Sequence, residues 1–168
     1  MATAPAYTAQ GFRTSFRSMP SDTPQGRVMG RHVVKNPAAR KIAIIDDGTA
    51  YGQGLAQAFA MAVQAAGGKV VGHEYTTDKA IDETAILTSL KARHPDLLFF
   101  AGAGAQAATV ARQMKQLGMD SWLVTGEMGK TPVFLRNAGE EGEDTITSLA
   151  GLPLDDMPKG RVYAARYK

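Results

Sequence analysis

From residue 41 onward, short apolar runs alternate with longer segments whose apolar residues recur at helical spacing, and no other feature constrains the fold as strongly. Lys41-Ile42-Ala43-Ile44-Ile45-Asp46-Asp47 is apolar through its middle and closes on acids and Gly48, the pattern of a parallel strand buried on both faces. The segment 51–67 follows, with Leu55, Phe59, Val63 and Ala66 on one helical face and Gly67-Gly68 as its stop. Residues 69–77 read as a strand, 84–93 as a helix carrying Ile86, Leu87 and Leu90, and 96–101, after Pro95, as a further strand. Residues 105–117 read as a helix with Val110, Met114 and Leu117 inward and Gly118 as its stop. A strand over 121–125, a short helix over 132–138 with Pro at its start, a strand over 145–149 and the beginning of a helix over 161–168 complete the pattern.

This alternation predicts an α/β fold: a three-layer, flavodoxin- or Rossmann-like lobe with a mainly parallel sheet, helices on both faces and right-handed crossovers. Binding sites in such folds lie beyond the carboxyl ends of the strands. That rule singles out the loops 46–51, 76–83, 102–106 and 126–131. Ahead of the alternation, Gly11 to Phe16 reads as a strand. Residues 23–36 read as a helix ended by Asn36-Pro37, with Ser21 or Asp22 as its cap. The first ten residues, rich in Ala and Thr, are expected to fray.

Composition narrows the function classes. The 168 residues are 44% hydrophobic and 21% charged, enough to bury a core. No run of about 18 apolar residues is present, so no segment reads as a membrane-spanning helix. The net charge of +3 is spread along the chain without a basic, aromatic-interleaved cluster, which argues against nucleic acid. Cysteine is absent, which removes thiol nucleophiles and thiolate metal sites. The chain opens Met1-Ala2-Thr3-Ala4-Pro5, with no charged start and apolar stretch, so no signal peptide is read in it.

Several motifs each carry two readings. Asp46-Asp47 at a strand end suits a metal or phosphotransfer pocket, or simple capping of the loop and next helix. The phosphotransfer version needs a third acid where the chain has Ala101-Gly102-Ala103-Gly104. Gly102-Ala103-Gly104-Ala105-Gln106-Ala107 between a strand and a helix matches a glycine-rich dinucleotide fingerprint, with Glu127 placed as a ribose-binding acid. Small residues also arise wherever a strand turns tightly into a helix. A dinucleotide-binding enzyme domain using Gly102, Gly104 and Glu127 is therefore the alternative function. Tyr51, at a strand-to-helix mouth, lines a pocket or packs on its own helix. Glu127 receives a ligand amine through a charge-assisted hydrogen bond, or is a solvated loop acid, as Lys130 is expected to be. His32, His73 and His94 lack ligand-like spacing and read as surface residues. No Gly-x-Ser-x-Gly elbow or nucleophile–base pair appears, so an enzyme is not expected, nor any cofactor or metal.

A set of segments resembles one family. They are Phe12-Arg13-Thr14, Gln25-Gly26, the run from Lys41 through Tyr51-Gly52-Gln53-Gly54-Leu55-Ala56, Asp96 to Phe100, Arg112 to Gly118, Pro132 to Gly142, and Gly151-Leu152-Pro153-Leu154. Together they resemble the periplasmic branched-chain amino acid (Leu/Ile/Val) binding proteins of ABC transporters. The resemblance implies two α/β lobes around a hinge with the ligand in the cleft. It implies that residues 11–168 are the second lobe, incomplete at its C-terminus, and that residues 1–10 are disordered or a residual hinge segment. It also implies a periplasmic parent, a small amino acid or related ligand, delivery to a membrane permease, and a lobe that binds weakly or not at all alone. By the resemblance, Tyr51 covers the ligand and Glu127 receives its α-ammonium. Ala103-Gly104 stands where family members commonly carry an aromatic or an acid, a departure that leaves the ligand class open. Exposed cleft or hinge surfaces of a lone lobe invite a homo-oligomer.

Overall fold

The computed structural model describes residues 3–167. In chain order the elements are α1 (Pro5–Ala9), α2 (Asp22–Val34), β1 (Lys41–Asp46), α3 (Ala50–Ala65), β2 (Lys69–Tyr75), α4 (Thr84–Lys91), β3 (Leu97–Ala101), α5 (Gly104–Gln116), β4 (Trp122–Thr125), α6 (Pro132–Ala138), β5 (Ile146–Thr147) and α7 (Gly160–Tyr167). Single 3-10 turns at Glu127–Gly129, Gly139–Gly142 and Leu154–Asp156 join the later ones.

The strands form one sheet in the order β2-β1-β3-β4-β5, every pair parallel. The expected α/β architecture is thus present. β1 and β3 pair in register from Ile42 opposite Leu97 to Asp46 opposite Ala101. Both lie in the middle of the sheet, so their side chains are buried in both directions, which is why their sequences do not alternate. One face packs Ile42, Ile44, Leu97 and Phe99 against α2 and α3 through Met29, Val33, Leu55, Phe59 and Val63. The other packs Ala43, Ile45, Leu98 and Phe100 against α4, α5 and α6 through Leu87, Leu90, Val110, Met114 and Phe134. This is the three-layer arrangement that burying two apolar sheet faces requires.

α2 and α3 approach closely because α2 carries glycines where it crosses. A Cβ on Gly26 would lie 2.8 Å from both the Ala58 Cβ and the Phe59 backbone nitrogen, and one on Gly30 would lie 2.7 Å from the Phe59 carbonyl oxygen. The Thr49 hydroxyl caps α3 by accepting from the Gly52 N–H at 3.0 Å.

The structure corrects three details ahead of and within the alternation. Residues 11–16 form no strand: the backbone turns at Phe12, whose carbonyl accepts from the Ser15 N–H at 3.3 Å, and Phe12 and Phe16 are exposed. No neighbouring strand edge is offered there, so Phe12 and Phe16 have no sheet face to bury against. Neither Ser21 nor Asp22 caps α2 with its side chain; Ser21 occupies the cap position without a side-chain bond, and Asp22 is the first helical residue with its carboxyl buried. On α3 the buried stripe takes Ala62 in place of Ala66, which is exposed. The first ten residues contain the one-turn α1, and the Arg17 guanidinium donates to the Ala4 carbonyl at 2.9 Å and to the Thr8 hydroxyl at 2.8 Å.

Candidate functional site

The carboxyl ends of β1, β3 and β4 meet on one edge of the sheet, where the chain order reverses between β1 and β3. β4 stops at Thr125, and the turn Glu127–Gly129 follows at once. Gly126 lets this turn sit against α3: a Cβ there would come 2.5 Å from the Tyr51 hydroxyl and 2.8 Å from a Leu55 methyl. Tyr51, in the first turn of α3, donates its hydroxyl to Glu127 Oε2 at 3.0 Å. The Gln25 side-chain amide donates to the same oxygen, and also to the Ser148 hydroxyl at 2.6 Å. Residues from α2 and α3 thus converge on one carboxylate in the turn after β4, and Gln25 also ties α2 to the segment after β5.

The cluster is short of donors. Glu127 Oε1, Gln25 Oε1 and both Asp22 oxygens are buried without a hydrogen-bond partner. Burial foremost, then the neighbouring Glu127 charge and hydrogen bond, with Asp22 and Asp47 adding, push the Tyr51 hydroxyl far above the usual tyrosine range. Tyr51 is therefore a neutral donor at every physiological pH. A buried acceptor that lacks a partner is costly, so this corner is complementary to a group that brings N–H donors and positive charge.

The other residues singled out in the sequence fall as follows. Gly104 opens α5 directly against the Glu127 turn, where a Cβ would lie 2.3 Å from the Met128 carbonyl oxygen. Half-buried Ala103 precedes it as the cap residue of α5. The edge thus brings Tyr51, Ala103, Gly104 and Glu127 together, although only Tyr51 and Glu127 bond to each other. The dinucleotide fingerprint has a packing explanation instead: a Cβ on Gly102 would meet the Phe100 ring at 2.8 Å. Gln106 donates to the carbonyls of Thr77 at 2.7 Å and Ala80 at 3.2 Å, which ties the loop 76–83 to α5. Within that loop the Thr76 hydroxyl donates to Glu83 Oε1 at 2.9 Å, and burial pushes the Glu83 carboxyl above the ordinary range.

Asp46 and Asp47 act as caps. Asp46 Oδ1 accepts from the Gly48 N–H at 2.9 Å, and Asp47 Oδ1 accepts from the Thr49 N–H at 3.0 Å and its hydroxyl at 2.5 Å. His73 is exposed, as expected, and its Nε2 lies 2.9 Å from Oδ2 of buried Asp46. His32, His94 and Lys130 are exposed. Among the described residues no group of three His, Cys, Asp or Glu side chains is placed to hold a metal ion.

Sequence reasoning gave Asp22 only a capping role and Gln25 no site role, and it left Ser148 unremarked. Gln25-Gly26 stood out as a dipeptide, but nothing local shows that its amide spans to a loop 102 residues away.

The family model described as "Periplasmic binding protein" matches residues 2–168. A Leu/Ile/Val-binding protein homolog from Brucella melitensis is 36% identical over 149 residues, covering 89% of this chain and 40% of the relative. A protein described as an amino acid binding protein from Pseudomonas aeruginosa is 33% identical over 135 residues, covering 77% of the chain and 36% of the relative. Among solved structures, a leucine-binding protein from Thermotoga maritima superposes with a TM-score of 0.86 at 23% identity, covering 94% of this chain and 45% of that one. A fatty acid ABC transporter substrate-binding protein from Thermomonospora curvata superposes with a TM-score of 0.76 at 16% identity, covering 90% and 40%. The chain spans about two-fifths of the length of the curated relatives it matches.

Proposed function

The chain belongs to the periplasmic binding protein family, and from that premise we propose that it is the second ligand-binding lobe of an amino-acid receptor serving an ABC transporter. The carrying observation is the Tyr51–Glu127 pair at the carboxyl edge of the sheet, with one Glu127 oxygen unpartnered. In this reading Glu127 takes the α-ammonium group and Tyr51 forms the wall beside it. The small pair Ala103-Gly104 leaves room for a side chain, and Gly104 is kept small by the Met128 carbonyl whatever the ligand. The lobe binds its ligand and does not transform it. The parent is periplasmic and hands its cargo to a membrane permease. Residues 11–168 form the lobe. Relatives bind branched-chain amino acids by name, which makes Leu, Ile and Val the first ligands to try.

A receptor of this kind closes two lobes on the ligand, and each lobe contributes contacts. The groups for the ligand's carboxylate then come from the other lobe. Losing several charge-assisted bonds, each contributing about 1.5–3 kcal/mol, moves a micromolar site into the millimolar range or beyond. Calorimetry of this chain with L-leucine, L-isoleucine and L-valine is therefore expected to show a Kd no tighter than millimolar. Amide NMR at tens of millimolar L-leucine is expected to move Tyr51, Gly104 and Glu127. A micromolar Kd would overturn the half-site reading, and leucine-induced shifts that fall elsewhere and spare Tyr51, Gly104 and Glu127 would overturn the placement of the ammonium group.

Self-association is part of the same proposal. The segment through α7 exposes Leu152, Val162, Tyr163 and Tyr167, an apolar surface on a helix whose only buried residue is Gly160. Light scattering is expected to show a mass that grows with concentration; a constant monomer mass at millimolar protein would rule this out.

A further inference from the structure

We propose that Asp22 and Glu127 hold one proton between them and that a ligand's ammonium group takes its place, so that binding releases a proton. This deepens the receptor reading above and rests on it for the identity of the incoming cation.

The argument begins with placement. Asp22 and Gln25 lie one turn apart on the same side of α2, as Tyr51 and Gly54 do on α3. The glycine-mediated crossing presses these rows together: a Cβ on Gly54 would sit 3.6 Å from Asp22 Oδ2, and one on Gly126 would sit 3.6 Å from the Gln25 amide nitrogen. The Glu127 turn closes the end of the row through its bonds from Tyr51 and Gln25. Two carboxyl groups are therefore enclosed together.

Their surroundings differ. Glu127 Oε2 accepts two hydrogen bonds. Asp22 is fully buried, and neither of its oxygens has a partner. Two enclosed carboxylates repel when both are ionised, and the less solvated one keeps a proton. Among the described residues, the charged and titratable groups that act on Asp22 or are acted on by it are Glu127, Tyr51 and Arg17. Burial holds the Asp22 carboxyl above the usual aspartate range; the nearby Thr3 hydroxyl, which reaches neither oxygen at full hydrogen-bond geometry, opposes this. The Glu127 charge pushes it further up, and Arg17 pulls it down.

An ammonium group at Glu127 reverses the balance. Its positive charge stabilises ionised Asp22, and the displaced proton goes to solvent. Ligand and proton compete, so affinity rises with pH through the Asp22 titration, by up to about tenfold per pH unit for one coupled proton. Below that midpoint the affinity falls by the same factor.

Carboxyl-carbon NMR of the chain tests this without and with ligand. Asp22 is expected to titrate clearly above the ordinary aspartate value of about 3.9. E127Q, checked for a native amide spectrum, is expected to lower the Asp22 midpoint by removing the like charge; Y51F, which leaves both carboxyls in place, is expected to keep it raised. Saturating L-leucine is expected to lower it in the native chain and not in E127Q. An ordinary Asp22 midpoint that E127Q does not move would overturn the shared proton. Leucine that shifts the Tyr51 and Glu127 resonances without moving Asp22 would overturn the exchange. Leucine that shifts nothing would count against the receptor reading, while the ligand-free titration still decides the pairing.

Discussion

Phe59→Ala is expected to lower the stability of the chain by about 3–5 kcal/mol, the range for truncating a fully buried aromatic. Phe59 sits at the centre of the face between α3 and the sheet, with no exposed surface, and its ring stacks on Phe99 at a centroid distance of 3.9 Å and an interplanar angle of 17°. Alanine there loses the transfer free energy of the ring and leaves a cavity. It also removes the stacking preference, about 0.5–1.5 kcal/mol beyond area burial. Neighbours cannot collapse into the space, because α3 is already fixed against α2 by the Gly26 and Gly30 contacts. For a domain of this size each kcal/mol shifts Tm by about 2–4 °C, so a fall of roughly 6–20 °C is expected in a calorimetric melt. A fall of under about 2 °C would show that the Phe59–Phe99 layer is not where the stability of this face resides.

Gly26→Val is the second large expectation, and it acts by crowding. The added Cβ would meet the Phe59 backbone nitrogen at 2.8 Å and the Leu55 carbonyl oxygen at 2.9 Å. Backbone atoms inside a helix cannot step aside singly, so α2 must lift from α3. Overpacking of this kind costs about 1–3 kcal/mol and sometimes more; with backbone on two sides, about 3 kcal/mol is expected. The change also reaches the site, since α2 carries Asp22 and Gln25 against Tyr51 and Glu127. Gly54→Ala is the control. Its Cβ has ordinary contact at 3.6 Å with Asp22 Oδ2, and alanine is the better helix former by about 1 kcal/mol. The two variants melting together would refute the crowding argument.

The second prediction concerns the α2–α3 crossing, and that crossing marks the limit of what the sequence disclosed. The strands β1 and β3 were legible because a strand in mid-sheet must be apolar on both faces. The helices were legible from their apolar spacing, and Leu55, Phe59 and Val63 are indeed fully buried. The mistaken strand at 11–16 shows the limit of the same logic. Two phenylalanines spaced as Phe12 and Phe16 specify a strand only where another strand offers its edge, and none does.

Local pattern by itself determined the order of the elements, their parallel arrangement and the edge of the sheet where a ligand would enter. These follow from periodicity and punctuation, which act over a turn of helix or a few residues of strand. Only the tertiary structure decided that Tyr51 bonds Glu127, that Gln25 reaches the same oxygen, and that Asp22 is buried beside them without a partner. The partners come from separate elements and are joined by helix packing, and no short-range rule records the distance at which two helices will cross.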